Sequence, residues 1–478
     1  MVTIFVTMKG AFFMTYNIEK YIYEIDSRVQ PNLNFDIIKR DIIIAERKAA
    51  LYFIDGFMKD AVFEKLMEFL YKITPEQING IDNMTEFSKS HMPYTEADAT
   101  DDIEQIVTAL LSGPAVLLID GIGDALLIDA RTYPLRSIEE PQKDRSVRGS
   151  KDGFVEALVM NTALIRRRIR DPRLRMEYHQ VGKSSKVDIV IAFMDGLADE
   201  KTLKKLREKI SKINVAGISM TQQALSEAMI PTNFFNPLPK TKFSERPDFA
   251  SASILEGRIA IIMDNSPGVM LLPVSFADFF KEVDDYYFPA ITGTYVRIIR
   301  GISSLLTVYL LPFVLLLNNF REQVPDWLKF ILSDEKMALP LIAQFLILEF
   351  VVDALRLASV NTPDSLSNSI GIIGGLILSE FAVNAGWFVP QAIIFSAFVA
   401  IASFSQPSFE ISYSTKFLRI IMLILTQFIG IYGIIVGTVI GIAVMLSSKT
   451  LSGRNYLYPI FPFDAKDFCK LFIRTKIK

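Results

Sequence analysis

The stretch IIRGISSLLTVYLLPFVLLLN (298–318) decides how this chain of 478 residues is organised. A helix needs about 20 predominantly apolar residues to cross a bilayer, and this stretch has that length and composition. Residues 296–446 are dominated by Leu, Ile, Val, Phe, Ala and Gly, whereas residues 1–295 have the composition of an ordinary globular protein. The sequence therefore predicts a soluble N-terminal part followed by a membrane part.

Four apolar runs in the N-terminal part end in Asp-Gly or Asp-Asn, a pattern that favours a buried strand followed by a turn. They are AALYFIDGF (49–57), AVLLIDGI (115–122), VIAFMDGL (190–197) and RIAIIMDNSP (258–267). Helical patterns separate them, and ALLIDARTYPL (125–135) is expected to pair with the strand before it. Alternating strands and helices predict a layered α/β fold. The recurring pattern fits two related halves, although unrelated proteins also follow buried strands with Asp-Gly.

The polar stretch SIEEPQKDRSVRGSKDG (137–153) is the natural place to divide the soluble part. We predict an α/β soluble N-terminal region of two subdomains followed by an all-α multi-span transmembrane domain. The predicted segments are an N-terminal extension (1–34), subdomain 1 (35–137), subdomain 2 (150–290), the transmembrane domain (296–446) and a basic cytoplasmic tail (447–478). Met14 is a candidate for the true start, since more ordinary sequence begins there.

Several classes of protein are poorly supported by the composition and motifs. A net charge of −2 gives no general attraction to nucleic acid, and a single cysteine with two histidines leaves no disulfide and no His-rich metal site. VGKSSK (181–186) has Glu177 where a phosphate-binding loop needs its first glycine, and DGIGDALL (120–127) has Leu126 where a dinucleotide fingerprint needs glycine. We therefore expect no enzyme activity, no cofactor, no metal and no nucleic-acid partner.

The stretch NTALIRRRIRDPRLR (161–175) concentrates arginines at the end of a predicted helix. One interpretation is a contact with an anionic partner, such as lipid headgroups or another subunit. The other is a solvated helix end, where cations are favourable and where Pro172 stops the helix.

Five apolar segments occur in the membrane part: 298–318, 337–360, 369–386, 388–404 and 418–446. Arg297 and Arg300 precede the first, Lys416 and Arg419 flank the last, and a basic tail follows. The positive-inside rule then places both ends in the cytoplasm, which requires an even number of crossings. We expect 337–360 not to cross because it is the most charged, or else the long last segment to fold back.

Glycines spaced four apart recur in this part, as Gly371 and Gly375 and as Gly433, Gly437 and Gly441. Such stripes allow helices to approach closely in lipid. The pattern serves packing within one chain and packing between subunits equally well.

The segment ILEFVVDALRLASVNTP (347–363) carries Glu349, Asp353 and Arg356 on one helical face. Intramembrane charges either pair between helices or face an aqueous path, and Glu380 in the next segment could join them. A net acidic lining would favour cations.

Two longer blocks resemble the GerA-type spore germination proteins of the A-subunit class. The first block is VRGSKDGFVEALVMNTALIRRRIRDPRLRMEYHQVGKSSKVDIVIAFMDGLAD (147–199), and the second is FSERPDFASASILEGRIAIIMDNSPGVMLLP (243–273). NPLPKTKFSERPD and VDDYYFPAITGTYVRIIR are closer to the family's stage V sporulation branch than to its nutrient-receptor subunits. The motif residues are Arg148, Gly149, Asp152, Gly153, Asn161, Arg166, Arg167, Arg168, Glu245, Arg246, Pro247, Asp248, Glu256 and Gly257.

The resemblance implies an integral protein of the inner spore membrane, with its soluble domain facing the cytoplasm of the spore core. It implies a homo-oligomeric, pentameric ion channel that acts with other germination membrane subunits and supports or amplifies ion release. The alternatives are a nutrient-sensing A subunit of a germinant receptor, or a component of a solute transporter for dipicolinate.

Overall fold

Two compact units divide the chain. The computed structural model describes residues 18–478 except 59, 93–95, 132–148, 216, 218–220, 231–233, 283–286, 334–337, 362–381, 407, 449, 454, 466–467, 470–472 and 474–478. The α/β unit consists of Met1–Arg145, Ser150–Met229 and Phe243–Pro273. The helical unit consists of Ser146–Gly149, Ile230–Lys242 and Val274–Lys478.

The first half of the α/β unit is a five-stranded sheet with the strand order β1-β2-β4-β5-β3. Its strands are β1 (Ile37–Ile44), β2 (Arg47–Ile54), β3 (Ala97–Thr100), β4 (Ala115–Ile119) and β5 (Ala125–Ile128). Its helices are α1 (Ile18–Val29), α2 (Asp60–Tyr71), α3 (Pro75–Ile78), α4 (Met84–His91) and α5 (Ile103–Ser112). As expected, β5 pairs with β4, and the pairing is antiparallel.

The apolar run of β2 is explained by burial on both faces of this sheet. Ala49 and Leu51 pack into one apolar cluster, whereas Ala50 and Tyr52 pack into the other. Successive side chains of a strand point to opposite faces, so a strand covered on both sides must be continuously apolar.

The second half is another five-stranded sheet, with the order β6-β7-β9-β10-β8. Its strands are β6 (Leu174–Val181), β7 (Val187–Met194), β8 (Lys242–Ser244), β9 (Ile259–Met263) and β10 (Val269–Leu272). Its helices are α6 (Leu158–Arg168), α7 (Glu200–Ser211), α8 (Thr221–Met229) and α9 (Pro247–Leu255).

The two halves repeat one topology. In each sheet the second strand lies between the first and the fourth, and the fifth lies between the fourth and the third. The Asp-Gly and Asp-Asn pairs follow the second and fourth strand of each sheet. Their second residues all have positive φ: 81° at Gly56, 77° at Gly121, 77° at Gly196 and 60° at Asn265. Gly and Asn adopt this conformation most readily, so the recurring pattern marks the same turn in both halves.

A buried ion pair joins the two halves. Arg166 on α6 donates to the carboxylate of Asp36, from Nε at 2.6 Å and from a terminal nitrogen at 3.0 Å, and both side chains are 0% exposed. Beside this pair, the Asn34 side chain accepts a hydrogen bond from the backbone N–H of Met176. Because the geometry is bidentate, each charge retains a full partner away from water.

Neither interpretation of the arginine cluster from the sequence holds for Arg166. Arg166 neither is solvated nor faces an external anion, because it is buried against Asp36. Others in the cluster also have carboxylate partners within the chain, namely Arg168 with Asp152, Arg173 with Asp171 and Arg175 with Asp195. Arg170, in the middle of the cluster, is exposed.

The helical unit contains α10 (Ala290–Asn319), α11 (Leu341–Asn361), α12 (Ala382–Asn384), α13 (Pro390–Phe404), α14 (Phe409–Ile429) and α15 (Ile431–Ser447). Short 3₁₀ helices occupy Phe276–Phe280, Arg321–Gln323 and Asp326–Ile331. Within the described part of the chain, α10 is the one helix that is long and apolar enough, by length and composition, to cross a membrane. Helices α11 and α14 each have 21 residues but carry three charged side chains.

Two segments are assigned differently from the sequence boundaries. Ile230–Lys242 belongs to the helical unit, where Ser414 Oγ donates to the carbonyl of Pro237 at 2.5 Å and the Tyr456 hydroxyl donates to that of Pro239 at 2.6 Å. The apolar stretch 418–446 is divided between two helices at Gly430, whose φ is 61°. The prediction that 337–360 does not cross the membrane remains a prediction, and most of 369–386 lies outside the described residues.

Replacing Arg166 with Met should lower the free energy of unfolding of the α/β unit by about 3–5 kcal/mol, because Asp36 is left charged and buried without a partner. Hydrogen exchange of β1 and β6 in the full chain measures this. The control is Arg173→Met, whose exposed ion pair with Asp171 is screened by solvent and contributes little to stability. Equal effects of the two substitutions would contradict the account, as would a failure of Arg166→Met with Asp36→Leu to recover stability.

Candidate functional site: a buried charge cluster

Four charged side chains meet between α11 and α14. Arg419 donates to the carboxylate of Glu349 from Nε at 2.7 Å and from a terminal nitrogen at 2.8 Å. Lys416 Nζ lies 3.3 Å from the same carboxylate and donates to the carboxylate of Asp353. We call Glu349, Asp353, Lys416 and Arg419 the charge cluster.

Helical spacing brings the members of the charge cluster together. Glu349 and Asp353 are four residues apart on α11, and Lys416 and Arg419 are three apart on α14. Residues three and four apart lie on the same face of a helix, so two acids on one helix face two bases on the other. The charge cluster therefore attaches α11 to α14 by a set of paired charges.

Burial makes this pairing obligatory. Glu349 is 9% exposed and Arg419 is 2% exposed. Arg419 and Lys416 also donate to backbone carbonyls, of Thr307 at 2.5 Å and of Glu349 at 3.0 Å. A buried pair that loses one member leaves an uncompensated charge, which is far more costly than the pair itself.

Arg356 is held differently. Its guanidinium carbon lies 4.2 Å from the centre of the Phe409 ring, 5.2 Å from that of Phe404 and 5.3 Å from that of Tyr413. The rings attract the cation through their negative faces.

A pocket bounded by α11, α13 and α14 opens beside these charges. Glu349, Asp353, Arg356, Lys416 and Arg419 all line it. Three serines, Ser396, Ser403 and Ser412, are also among its lining residues.

The sequence left open whether the charges of 347–363 pair between helices or face an aqueous path. Glu349 and Asp353 do come together, but they are paired with Lys416 and Arg419. Of the two alternatives, pairing between helices is therefore the one seen for these acids. The described residues that line the pocket include three cations and two carboxylates, so this lining is not net acidic. Glu380 lies outside the described residues.

Lys416 and Arg419 are the residues that sequence reasoning missed. They were expected to flank the last membrane segment, whereas α14 begins at Phe409 and places both of them inside the helix. The signal that could have found them is their spacing of three, which places both on one face of a helix, as the spacing of four does for the acids on α11.

The glycines of α15 pack against α14 within the same chain. A Cβ at Gly433 would lie 2.4 Å from backbone atoms of Leu425 and Thr426, and one at Gly437 would lie 2.3 Å from Met422 Cγ. A Cβ at Gly441 would lie 2.9 Å from Leu418. The contacts run in opposite directions along the two helices, so α14 and α15 form an antiparallel hairpin around Gly430. Gly371 and Gly375 lie outside the described residues.

The first family block contributes structural contacts. Asn161 is buried, and its side chain accepts from the backbone N–H of Val155 and donates to the carbonyl of Val155. Burial raises the pKa of Asp152, but hydrogen bonds from Arg168 and Ser150 outweigh it and the pKa is lowered. Gly149 has a φ of 116°, and a Cβ there would lie 2.5 Å from the Tyr287 ring.

Other positions of this block have simpler environments. Gly153 is buried, whereas Arg167 is partly exposed beside the buried Arg166. Arg148 lies outside the described residues.

Residues of the second family block lie at the start and at the end of α9. The backbone carbonyl of Glu245 accepts from the N–H of Phe154, and Arg246 donates to Asp248 and to the carbonyl of Ser150. Pro247 is the first residue of the helix. At the other end, Glu256 follows the helix and Gly257 has a φ of 88°. Hydrogen bonds of these motif residues thus connect the two family blocks. Within the described residues there is no group of three or more potential metal ligands.

Replacing Gly433 with Ala should lower the free energy of unfolding of the helical unit by about 1–3 kcal/mol, because the added methyl group meets backbone atoms that cannot move aside. Titration of the full chain with a denaturing detergent measures this. The control is Ala443→Val, which adds bulk at an exposed position of the same helix. Equal stability of Gly433→Ala and wild type would contradict the hairpin packing.

Comparisons with known proteins agree on one family. The family model of the Bacillus/Clostridium GerA spore germination protein matches residues 24–478. The chain is 31% identical to Stage V sporulation protein AF of Bacillus subtilis (strain 168), over 94% of this chain and 90% of that protein. It is 30% identical to Spore germination protein KA of the same organism, over 90% of this chain and 80% of that protein.

One solved structure is also similar, the N-terminal domain of the A subunit of the Bacillus megaterium spore germinant receptor GerK3. The match has a TM-score of 0.41 at 26% identity and covers 53% of this chain and 94% of that one. The family match, in contrast, extends over nearly the whole sequence. The chain therefore belongs to the GerA family of spore germination proteins.

Proposed function

We propose that this protein is an integral membrane subunit of the spore germination apparatus that conducts ions as a homo-oligomer, and that it supports or amplifies ion release during germination. The observation that carries the proposal is the charge cluster, buried between two helices of a largely apolar unit. Ionisable groups within membrane helices are costly, at about 2.5–3.5 kcal/mol each on insertion scales, and they usually mark ion pathways.

The surface of the helical unit supports a membrane location. Large apolar side chains are exposed along its helices, among them Leu305 on α10, Phe398 on α13 and Phe428 on α14. A water-soluble protein rarely exposes contiguous apolar area on this scale, whereas lipid-facing helices require it. We place the α/β unit and the basic C-terminal tail in the cytoplasm of the spore core, with the helical unit in the inner spore membrane.

The charge cluster would serve conduction by bracing the polar interior of the helical unit. Paired charges keep α11 and α14 in register while leaving a polar pocket beside them. A pentamer of such subunits, acting with other germination membrane proteins, is the assembly we propose, and no enzymatic step is part of it.

The proposal is tested by ion flux from liposomes that contain the purified protein. Wild-type protein should release potassium. Glu349→Gln with Asp353→Asn leaves Lys416 and Arg419 unpaired, and the added positive potential should reduce cation flux by about tenfold or more, since each 1.4 kcal/mol of barrier is a factor of ten. Glu322→Gln is the control, because it removes an exposed carboxylate outside the charge cluster.

The outcomes separate the parts of the proposal. The absence of flux from liposomes with folded wild-type protein would contradict a channel formed by this chain alone. Wild-type flux from the double variant would remove Glu349 and Asp353 from any role in conduction.

A nutrient-sensing A subunit is the second candidate. It is favoured by the similarity to Spore germination protein KA, which at 30% identity is close to the 31% with Stage V sporulation protein AF. Spores that lack the protein distinguish the two functions. Uniform slowing of germination with every nutrient indicates an amplifier, whereas loss of the response to one nutrient class indicates a sensor.

A further inference from the structure

Arg356 carries a charge that the described part of the chain does not neutralise. Its contacts are the rings of Phe404, Phe409 and Tyr413. The nearby acid Asp353 is already engaged with Lys416. The guanidinium group of arginine is a planar cation with five donor hydrogens, which suits it to binding anions.

Two helix ends lie beside Arg356, and their fields oppose each other. Phe404, one of its ring contacts, is the last residue of α13, and the C-terminus of a helix carries a partial negative charge. Phe409 is the first residue of the 21-residue helix α14, and Tyr413 lies one turn later. The N-terminus of a helix carries a partial positive charge, which disfavours a neighbouring cation and favours an anion. The two helix ends offset each other, so the charge of Arg356 itself is what a ligand would have to balance.

A second observation comes from the opposite wall of the same pocket. Ser396 on α13 lines the pocket and is 7% exposed, and its hydroxyl oxygen is buried without a hydrogen-bond partner. Buried hydroxyl groups in proteins are nearly always hydrogen-bonded, so an orphan hydroxyl in a pocket indicates a missing partner.

The charge balance of the pocket selects the sign of that partner. Glu349 and Asp353 are the carboxylates that line it, and Arg356, Lys416 and Arg419 are the cations. The lining thus has an excess of one positive charge, and Arg356 is the cation left over after the pairing within the charge cluster.

Exposure shows where a ligand could enter. Phe404 and Phe409, which flank Arg356, are 55% and 54% exposed. The Arg356 end of the pocket is therefore open to the surroundings of the helical unit, while the Ser396 wall is closed.

We infer that the pocket between α11, α13 and α14 binds one phosphate group, with the guanidinium of Arg356 as its counter-charge and the hydroxyl of Ser396 as a hydrogen-bond partner. The planar fork of an arginine donates two parallel hydrogen bonds to phosphate oxygens, which a lysine cannot reproduce. The phosphate belongs either to the headgroup of an anionic lipid or to a soluble phosphate. This site shares its pocket with the charge cluster, but phosphate binding does not require the proposed conduction and would exist in a subunit without a pore.

Binding to the purified full chain in neutral detergent tests the inference. Native mass spectrometry counts bound dioleoylphosphatidylglycerol and dioleoylphosphatidylcholine, and the unfolding midpoint is followed in sodium phosphate and in sodium chloride of equal ionic strength. Arg356→Gln should weaken the binding of the anionic probe by about tenfold or more, because charge-assisted hydrogen bonds are lost. Arg356→Lys should restore only part of it, and Ser396→Ala should weaken it to a smaller extent.

Lys329→Gln is the matched control, since it removes an exposed cation from the segment before α11. Retention of phosphatidylglycerol alone identifies a lipid headgroup as the source, and stabilisation by phosphate alone identifies a soluble ligand. Binding of neither probe by the wild type would overturn the inference. Equal loss in Arg356→Gln and Lys329→Gln would overturn it too, and if Arg356→Gln does not fold, unchanged binding by Ser396→Ala and Arg356→Lys would do so.

Discussion

The carboxylate of Glu349 is the group on which the arrangement of the helical unit depends. Its oxygens accept hydrogen bonds from Nε and one terminal nitrogen of Arg419, and the ammonium group of Lys416 lies 3.3 Å from it. Because these groups are buried, the two helices cannot separate or slide without exposing a bare charge to an apolar environment. Helix α14, which carries Lys416 and Arg419, is also one arm of the hairpin with α15. The glycines of α15 let the two helices of this hairpin pack closely.

The α/β unit uses the same constraint between its two repeated halves. Asp36 precedes the first strand of one sheet and Arg166 lies on the helix before the first strand of the other. Their bidentate pair is completely buried, so each half supplies the charge that the other requires. In both units, a buried pair specifies which elements meet, while apolar packing supplies most of the stability.

The sequence predicted the strands well because burial on both faces leaves continuous apolar runs, as in β2 and β4. It also indicated the Asp-Gly turns, whose glycines have positive φ. It could not predict partners that are distant along the chain: 130 residues separate Asp36 from Arg166, and 70 separate Glu349 from Arg419. Periodicity reports which face of an element is apolar, but it carries no information about which other element covers that face.

The break at Gly430 agrees with the alternative that the long last segment folds back, but hydropathy gives no position for it. The residues on both sides of it are apolar, so hydropathy reads one long segment, although the single left-handed residue reverses the chain. The same misreading placed Lys416 and Arg419 at the edge of a membrane segment. Once the helix boundaries are known, these two bases are seen to pair with the acids of α11. The charged face of α11 is then explained as the surface that holds it against α14.

An exchange of charge between Glu349 and Arg419 tests this brace most directly. Germination of spores is measured for Glu349→Arg, for Arg419→Glu and for both substitutions together. Each single substitution places two like charges against each other and should abolish the protein's contribution, and the double exchange should restore most of it. A double exchange no better than the single substitutions, with normal protein levels in the membrane, would contradict the account.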